Sequence, residues 1–297
     1  MRILITGASG FIGNNICNYL LDNLQEVIGV NQKTSYINNI KNPLYSEFII
    51  DISSINEIEN LGNLISNVDV IIHAAASLNM QTYNNQVIRV NCIGTQNILW
   101  LASKLKVKKF LFISSVPIIG IPVNLPIKET HTIYPKTTYH LSKYFGEQLV
   151  MLSSSNEMDY FILRITAPVG IGMPKSRLLS VMLQNCLNNE PLLLSGSGTR
   201  RQNYIDVRDI VRATLLCINS DKSGIYNIAG SKTISNSELA QLCVQKCKSN
   251  SIIKYNINKD FEEGVVWDVS IEKAKLNLGF IPLFNIANTI DNILTNK

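Results

Sequence analysis

Short apolar runs alternate with longer segments of helical period over the first half of the chain. The runs cover residues 3–6, 26–30, 47–50, 69–73, 109–114 and 160–164. Nearly continuous apolar strands are typical of a parallel sheet that is covered on both faces, with right-handed helical crossovers between the strands. The pattern therefore predicts an α/β fold with a doubly wound parallel sheet of the Rossmann type.

The second half of the chain has a different pattern, with shorter elements. Helices are predicted at residues 178–188 and 208–217, a glycine-rich turn at residues 195–198, and a further strand at residues 224–228. We predict a dinucleotide-binding domain over residues 1–168, to which residues 203–228 return, and a smaller α/β substrate-binding domain mainly over residues 169–297. No long linker separates the halves, so we expect a cleft between them.

Composition narrows the class of protein. The chain has 297 residues, 46% apolar and 16% charged, which excludes disordered and collagen-like proteins. The net charge of +5 suits an anionic small molecule and predicts no nucleic-acid partner. Six cysteines and three histidines lack metal-site spacing, and no apolar run reaches the roughly 18 residues of a membrane span. With a strand predicted from the first residues, we expect no leader and a cytoplasmic protein with reduced thiols.

A glycine-rich turn follows the first predicted strand directly. Gly7, Gly10 and Gly13 have the spacing GxxGxxG, and residues 14–21 have the pattern of a helix. Gly7 permits the tight turn, Gly10 lets backbone N–H groups approach a pyrophosphate, and Gly13 lets the helix pack closely on the strand. The positive end of the helix dipole adds to this site. The strand–turn–helix context therefore predicts dinucleotide binding.

The end of the second strand bears on the choice between NAD and NADP. An acid there favours NAD by contacting the adenosine ribose, whereas small polar or basic groups tolerate the 2′-phosphate of NADP. The chain has Asn31 at this point, with Lys33 and Ser35 just beyond it. Because Asn31 cannot repel a phosphate and Lys33 or Ser35 could contact one, we expect a preference for NADP. NAD is the alternative if Lys33 is only a solvated loop charge.

Tyr139 and Lys143 are four residues apart and share one face of a predicted helix. A tyrosine has a pKa near 10, so it becomes an effective acid or base at neutral pH only where a nearby cation stabilises its phenolate. Lys143 is such a cation. Ser114 and Ser115 end the fifth apolar run, at the edge of the sheet where ligands of such folds bind, and a hydroxyl there could hold the same substrate oxygen.

Further motifs occur in order along nearly the whole chain. They are Asp51 after the third strand, His73-Ala74-Ala75-Ala76, VNCIGT at residues 90–95, Arg164, Pro168-Val169-Gly170, YIDVRD at residues 204–209 and LGFIP at residues 278–282. With the glycine turn, Ser114-Ser115 and YHLSK, these motifs resemble those of the extended short-chain dehydrogenase/reductases. More narrowly, the chain resembles the NAD-dependent epimerase/dehydratase family, which acts on nucleotide sugars.

The resemblance implies a role for each matching position. The implied catalytic residues are Ser115, Tyr139 and Lys143. The expected cofactor contacts, which include Asn31 and Lys33 at the end of the second strand, are Gly7, Gly10, Phe11, Ile12, Gly13, Asn31, Lys33, Asp51, Ile52, Ala74, Ala75, Ala76, Asn91, Ser114, Tyr139, Lys143, Pro168 and Val169. The resemblance also implies a homodimer that pairs the helices near residues 95–105 and 139–151.

Departures from the family pattern reduce the number of reactions that the chain is expected to catalyse. The 4,6-dehydratases of this family move protons with an Asp-Glu pair. Ser115 and Val116 occupy those two positions in this chain, so it lacks the acid and base for elimination of water. The family's substrate-contacting Asn is Ala167, and the Arg expected before Asn203 is Gln202. Residues 261–264 replace a second phosphate-binding Arg. The expected substrate contacts are Ser115, Lys175, Arg177, Arg200 and Arg201.

These features predict an NAD(P)-dependent oxidoreductase that acts at C4 of a nucleotide-linked sugar. A 4-keto-6-deoxyhexose reductase is favoured because Asn31 replaces the acid typical of NAD binding. The alternative is a 4-epimerase, similar to UDP-glucose 4-epimerase, that keeps NAD tightly bound. A regulatory protein that senses the dinucleotide without chemistry is a third hypothesis, against which the intact Ser115, Tyr139 and Lys143 argue.

Overall fold

A computed structural model describes residues 1–33, 42–80, 84–154, 158–256 and 260–296; the predicted phosphate contact Ser35 lies outside them. The strands are β1 (Arg2–Thr6), β2 (Glu26–Asn31), β3 (Tyr45–Ile49), β4 (Val70–His73), β5 (Lys109–Ser115), β6 (Asp159–Ile165), β7 (Ala167–Val169), β8 (Leu192–Ser195), β9 (Arg201–Asp206), β10 (Gly224–Ile228), β11 (Thr233–Ser235) and β12 (Ile253–Asn256). The helices are α1 (Phe11–Asp22), α2 (Ile55–Leu64), α3 (Asn85–Ile88), α4 (Gly94–Lys104), α5 (Thr138–Ser153), α6 (Leu178–Leu187), α7 (Val207–Ile218), α8 (Asn236–Cys247), α9 (Glu272–Leu278) and α10 (Ile286–Thr295).

Seven strands form one sheet in the order β10-β6-β5-β4-β1-β2-β3, and every neighbouring pair is parallel. Successive residues of β1 enter different cores: Ile3 and Ile5 pack with α1 and α7, and Leu4 packs with α2 and α4. Alternate strand residues point to opposite faces, so this division shows helices on both sides of the sheet. The predicted doubly wound fold is confirmed.

The C-terminal part carries two small sheets, β11-β9-β7 and β12-β8. Their apolar residues pack with α6, α8 and α10 in a separate core. Strand β10 joins the large sheet beside β6, whereas β9 lies in a small sheet beside β7. The predicted domain boundaries at residues 168, 203 and 228 stay a prediction. No helix in the described ranges is long and apolar enough to span a membrane.

Candidate active site

A cavity of about 820 Å³ opens at the carboxyl ends of β1, β2, β4, β5 and β6. This is the edge at which open α/β sheets bind ligands. The predicted site residues that line it are Gly7, Gly10, Phe11, Ile12, Gly13, Asn31, Asp51, Ile52, Ala74, Ala75, Ala76, Ser114, Ser115, Tyr139, Lys143, Pro168, Arg177 and Arg200. The structure therefore brings the glycine turn, the Ser-Tyr-Lys set and two arginines into one cavity.

Asn91, a predicted cofactor contact, does not line this cavity. It is buried in a wide helical turn between α3 and α4, where its side chain accepts a hydrogen bond from the Ser77 N–H and donates to the Ser77 carbonyl and the Ser142 hydroxyl. These contacts tie the segment after Ala76 to α5. In the structure Asn91 positions the cavity wall.

Four other predicted contacts also lie outside the cavity. Val169 is buried and lines a smaller neighbouring cavity of about 230 Å³. Arg201 pairs with Glu238 at 3.0 Å. The side chains of Lys33 and Lys175 are exposed to solvent.

The glycine turn has the shape that a pyrophosphate needs. Gly7 has a φ of +69°, and a Cβ there would lie 2.8 Å from Ala75 Cα, while a Cβ on Gly13 would collide with the Gly7 carbonyl oxygen. Helix α1 begins at Phe11 without a side-chain cap, so its first backbone N–H groups have no intrahelical acceptor. Free donors at a helix N-terminus suit an anion, so these residues fit a dinucleotide.

Asn31 ends β2, and both polar atoms of its buried side chain are hydrogen-bonded within the protein. Its Oδ1 accepts a hydrogen bond of 2.8 Å from the Ser9 N–H, and its Nδ2 donates one of 2.7 Å to Glu47 Oε1. A carboxylate behind Asn31 and a solvent-exposed Lys33 do not support the predicted preference for NADP. Sequence reasoning missed Glu47 because its approach to Asn31 depends on the β2–β3 register.

Tyr139 and Lys143 lie on α5, which begins after Thr137, whose hydroxyl caps the His140 N–H. Desolvation raises the pKa of Tyr139 to about 12, and the positive charge of Arg177 opposes this shift. Burial lowers the pKa of Lys143 to about 7, against the opposing charge of Glu147. The Lys143 Nζ lies 4.1 Å from the centre of the Phe112 ring. Arg177 is therefore a cation near the phenol that the sequence analysis did not connect with Tyr139.

A buried ion pair lies one helical turn beyond Lys143. Glu147 is fully buried, and Arg164 donates to it from Nε at 3.0 Å and from Nη2 at 2.7 Å. The Ser114 hydroxyl also donates to Glu147, at 2.5 Å. Sequence reasoning gave Glu147 no role, although its spacing from Lys143 places both on one helix face. Both serines line the cavity, but the Ser114 hydroxyl is engaged by Glu147.

Comparison with known proteins decides the family. The model of the NAD dependent epimerase/dehydratase family matches residues 3–229. The chain belongs to this family. A relative from Methanocaldococcus jannaschii, "Putative UDP-glucose 4-epimerase", is 31% identical over 98% of this chain and 97% of its own. The predicted family and the prediction of an enzyme are confirmed.

Solved structures share the fold of this epimerase/dehydratase-family chain over its whole length. The UDP-glucose 4-epimerase of Thermotoga maritima has a TM-score of 0.89 at 23% identity, covering 99% of this chain and 98% of that one. The UDP-glucuronic acid 4-epimerase of Bacillus cereus, solved with UDP-glucuronic acid and NAD, has a TM-score of 0.87 at 23% identity with 100% of both chains covered.

Three of the positions that depart from the family pattern also line the cavity. Val116, Ala167 and Gln202 line it together with Arg200. The Arg200 guanidinium pairs with Glu262 at 2.6 Å. Arg177 and Arg200 are therefore the predicted anion contacts that the structure brings to the cavity.

Proposed function

We propose that this enzyme is a 4-epimerase of a nucleotide-linked sugar: it oxidises C4 to a ketone and reduces it from the opposite face. The observation that carries the proposal is that Ser115, Tyr139 and Lys143 share one cavity with the glycine turn. The acid pair of the dehydratases is Ser115-Val116 here, which argues against elimination. The name of the Methanocaldococcus jannaschii relative favours epimerisation over the predicted 4-keto-6-deoxyhexose reduction.

The dinucleotide would be held by the glycine turn, by Asn31 and by Lys143. When bound, it supplies the two-electron oxidant and reductant for C4. Tyr139 would take the proton from the C4 hydroxyl during oxidation and return a proton to the ketone oxygen during reduction, with the Ser115 hydroxyl donating to the same oxygen. Lys143 and Arg177 would stabilise the phenolate form of Tyr139, which accepts the first proton and is restored when the ketone oxygen has been protonated.

Arg177 and Arg200 would hold the diphosphate of the nucleotide sugar, since guanidinium groups bind phosphate oxygens with paired hydrogen bonds. They line the large cavity and the neighbouring one of about 230 Å³. Arg200 would exchange its pairing with Glu262 for the diphosphate.

The test uses the purified protein without added cofactor. It is incubated with UDP-glucose, UDP-galactose and the corresponding dTDP sugars, and the C4 epimers are counted by NMR. Epimer formation supports the proposal. Absence of any epimer, together with NADPH oxidation on a 4-keto-6-deoxy nucleotide sugar, would establish the reductase instead.

We further propose a homodimer through α4 and α5, in accord with the sequence analysis. Trp100, Phe145 and Leu152 are 39%, 46% and 83% exposed on these helices. Leu101, by contrast, is fully buried within the subunit. The exposed residues extend the apolar surface that two-fold pairing of these helices would cover.

A further inference from the structure

We propose that Glu47, a residue of β3 behind Asn31, selects NAD over NADP. The inference rests on the proposed dinucleotide site but goes beyond it, because it assigns the choice of cofactor to a residue outside the cavity. The acid that would ordinarily end β2 is replaced by two residues: Asn31, which faces the cavity, and Glu47, which supplies the negative charge.

The register of β2 and β3 places Glu47 there. Glu47 lies opposite Gly29, and Ile49 lies opposite Asn31. Gly29 leaves room on this face, which the Tyr45 ring fills so closely that a Cβ on Gly29 would collide with the Tyr45 hydroxyl. The Tyr45 hydroxyl in turn lies 3.5 Å from Glu47 Oε1.

The Glu47 carboxylate also faces α1, the helix that begins at the glycine turn. Burial raises the pKa of the Cys17 thiol on α1 to about 12, and the negative charge of Glu47 adds to this effect. The carboxylate therefore lies on the side of the sheet that α1 covers.

The partners of Asn31 fix which way its amide points. The Ser9 N–H can only donate and the Glu47 carboxylate can only accept, so Oδ1 faces the turn and Nδ2 faces Glu47. Asn31 is left with an acceptor lone pair and one N–H. A ribose hydroxyl both donates and accepts, so it matches this pair.

A 2′-phosphate matches it poorly. A phosphate needs several donors and positive charge, whereas here it would find one amide N–H beside an acceptor oxygen, with the Glu47 carboxylate bound to the same amide nitrogen. Lys33, the cation that the sequence offered, is exposed and does not line the cavity. The Asn31–Glu47 pair therefore carries one negative charge, as an acid at the end of β2 would, although Asn31 itself is neutral.

The test is calorimetric titration of the full chain, freed of copurified dinucleotide, with NAD and with NADP. We expect wild type to bind NAD at least about tenfold more tightly than NADP, a difference of about 1.4 kcal/mol. Glu47→Gln keeps an acceptor for Asn31 but removes the charge, so affinity for NADP should rise about tenfold and affinity for NAD should change little. Glu59→Gln, an equal change on the exposed face of α2, is the matched control and should leave the ratio unchanged.

Glu47→Met, uncharged and of similar length, is a second variant should Glu47→Gln not fold, and it should also gain affinity for NADP. An unchanged NAD/NADP ratio in the folded variant, or a wild type that binds NADP as tightly as NAD, overturns the inference. Binding of neither dinucleotide to wild type would instead refute the proposed function. Binding of NAD with an unchanged ratio in the variant refutes only the role of Glu47.

Discussion

Replacing Glu147 by glutamine should destabilise the protein strongly. Glu147 accepts hydrogen bonds from the Ser114 hydroxyl and from Arg164, whose guanidinium donates to both carboxylate oxygens and cannot accept. Glutamine has one acceptor oxygen and an NH2 group, so either orientation of its amide turns the NH2 group toward a guanidinium N–H. The Arg164 charge would remain, buried and without its partner.

The magnitude follows from burial. Glu147 is 0% exposed and Arg164 is 4% exposed, so solvent screens the pair little. Removing one partner of such a pair costs about 3–5 kcal/mol, because a buried charge is left uncompensated. Arg164 keeps one hydrogen bond, from Nη1 to the Glu129 carbonyl at 2.9 Å, so we expect a loss of stability near the lower end of this range.

The assay is urea unfolding followed by tryptophan fluorescence. Glu147→Gln should lower the free energy of unfolding by about 3 kcal/mol, Glu59→Gln by less than about 0.5 kcal/mol, and the double variant Glu147→Gln with Arg164→Met by less than the sum of the two single changes. A loss below about 1 kcal/mol for Glu147→Gln, or simple additivity in the double variant, would refute the reasoning.

Three further predictions concern the catalytic residues and assembly. Tyr139→Phe removes only the hydroxyl, so turnover of a confirmed substrate should fall at least about a hundredfold while calorimetry shows intact dinucleotide binding; near-normal turnover would contradict its role. Burial lowers the pKa of Lys143 to about 7, so above that pH the unfolded chain binds more protons than the folded protein. Unfolding titrations should therefore show wild type gaining stability relative to Lys143→Met between pH 7 and pH 9, by at most about 1.4 kcal/mol per pH unit. No gain would show that Lys143 is not held in this state. Light scattering should give a dimer for wild type, and Phe145→Glu, which places a charge on the exposed face of α5, should give a monomer; an unchanged dimer in that variant would locate the interface elsewhere.

The large sheet could be predicted from the sequence because most of its strands are short apolar runs. The observed β2 and β5, for example, begin at Glu26 and Lys109, where the predicted strands begin. Buried parallel strands show a strong local pattern, and a glycine turn between strand and helix depends on the backbone alone. The cavity residues that such local motifs carry, among them Gly7, Tyr139 and Lys143, could therefore be named without coordinates.

Residues whose importance depends on their partners could not be predicted in this way. Glu47 reaches Asn31 through strand register, and Glu147 meets Arg164 across a helix–strand contact. In sequence, each is one acid among the 22 Asp and Glu residues of the chain. The prediction about NADP went unsupported for the same reason, since it weighed the charge of Asn31 without the carboxylate behind it.

The buried groups of α5 and β6 explain how a tyrosine with a raised pKa can serve the proposed reaction. Tyr139, Lys143 and Glu147 lie at intervals of four residues on one face of α5. Arg164 of β6 forms an ion pair with Glu147. Glu147 and Arg164 neutralise each other, so Glu147 supports the charge of Lys143 without adding net charge to the cavity. A phenolate at Tyr139 would then have two cations near it, Lys143 one turn along the same helix and Arg177, which lines the same cavity. Since desolvation holds the pKa of Tyr139 near 12, the phenol stays protonated in the unliganded protein, and the proposed proton transfer depends on what fills the cavity.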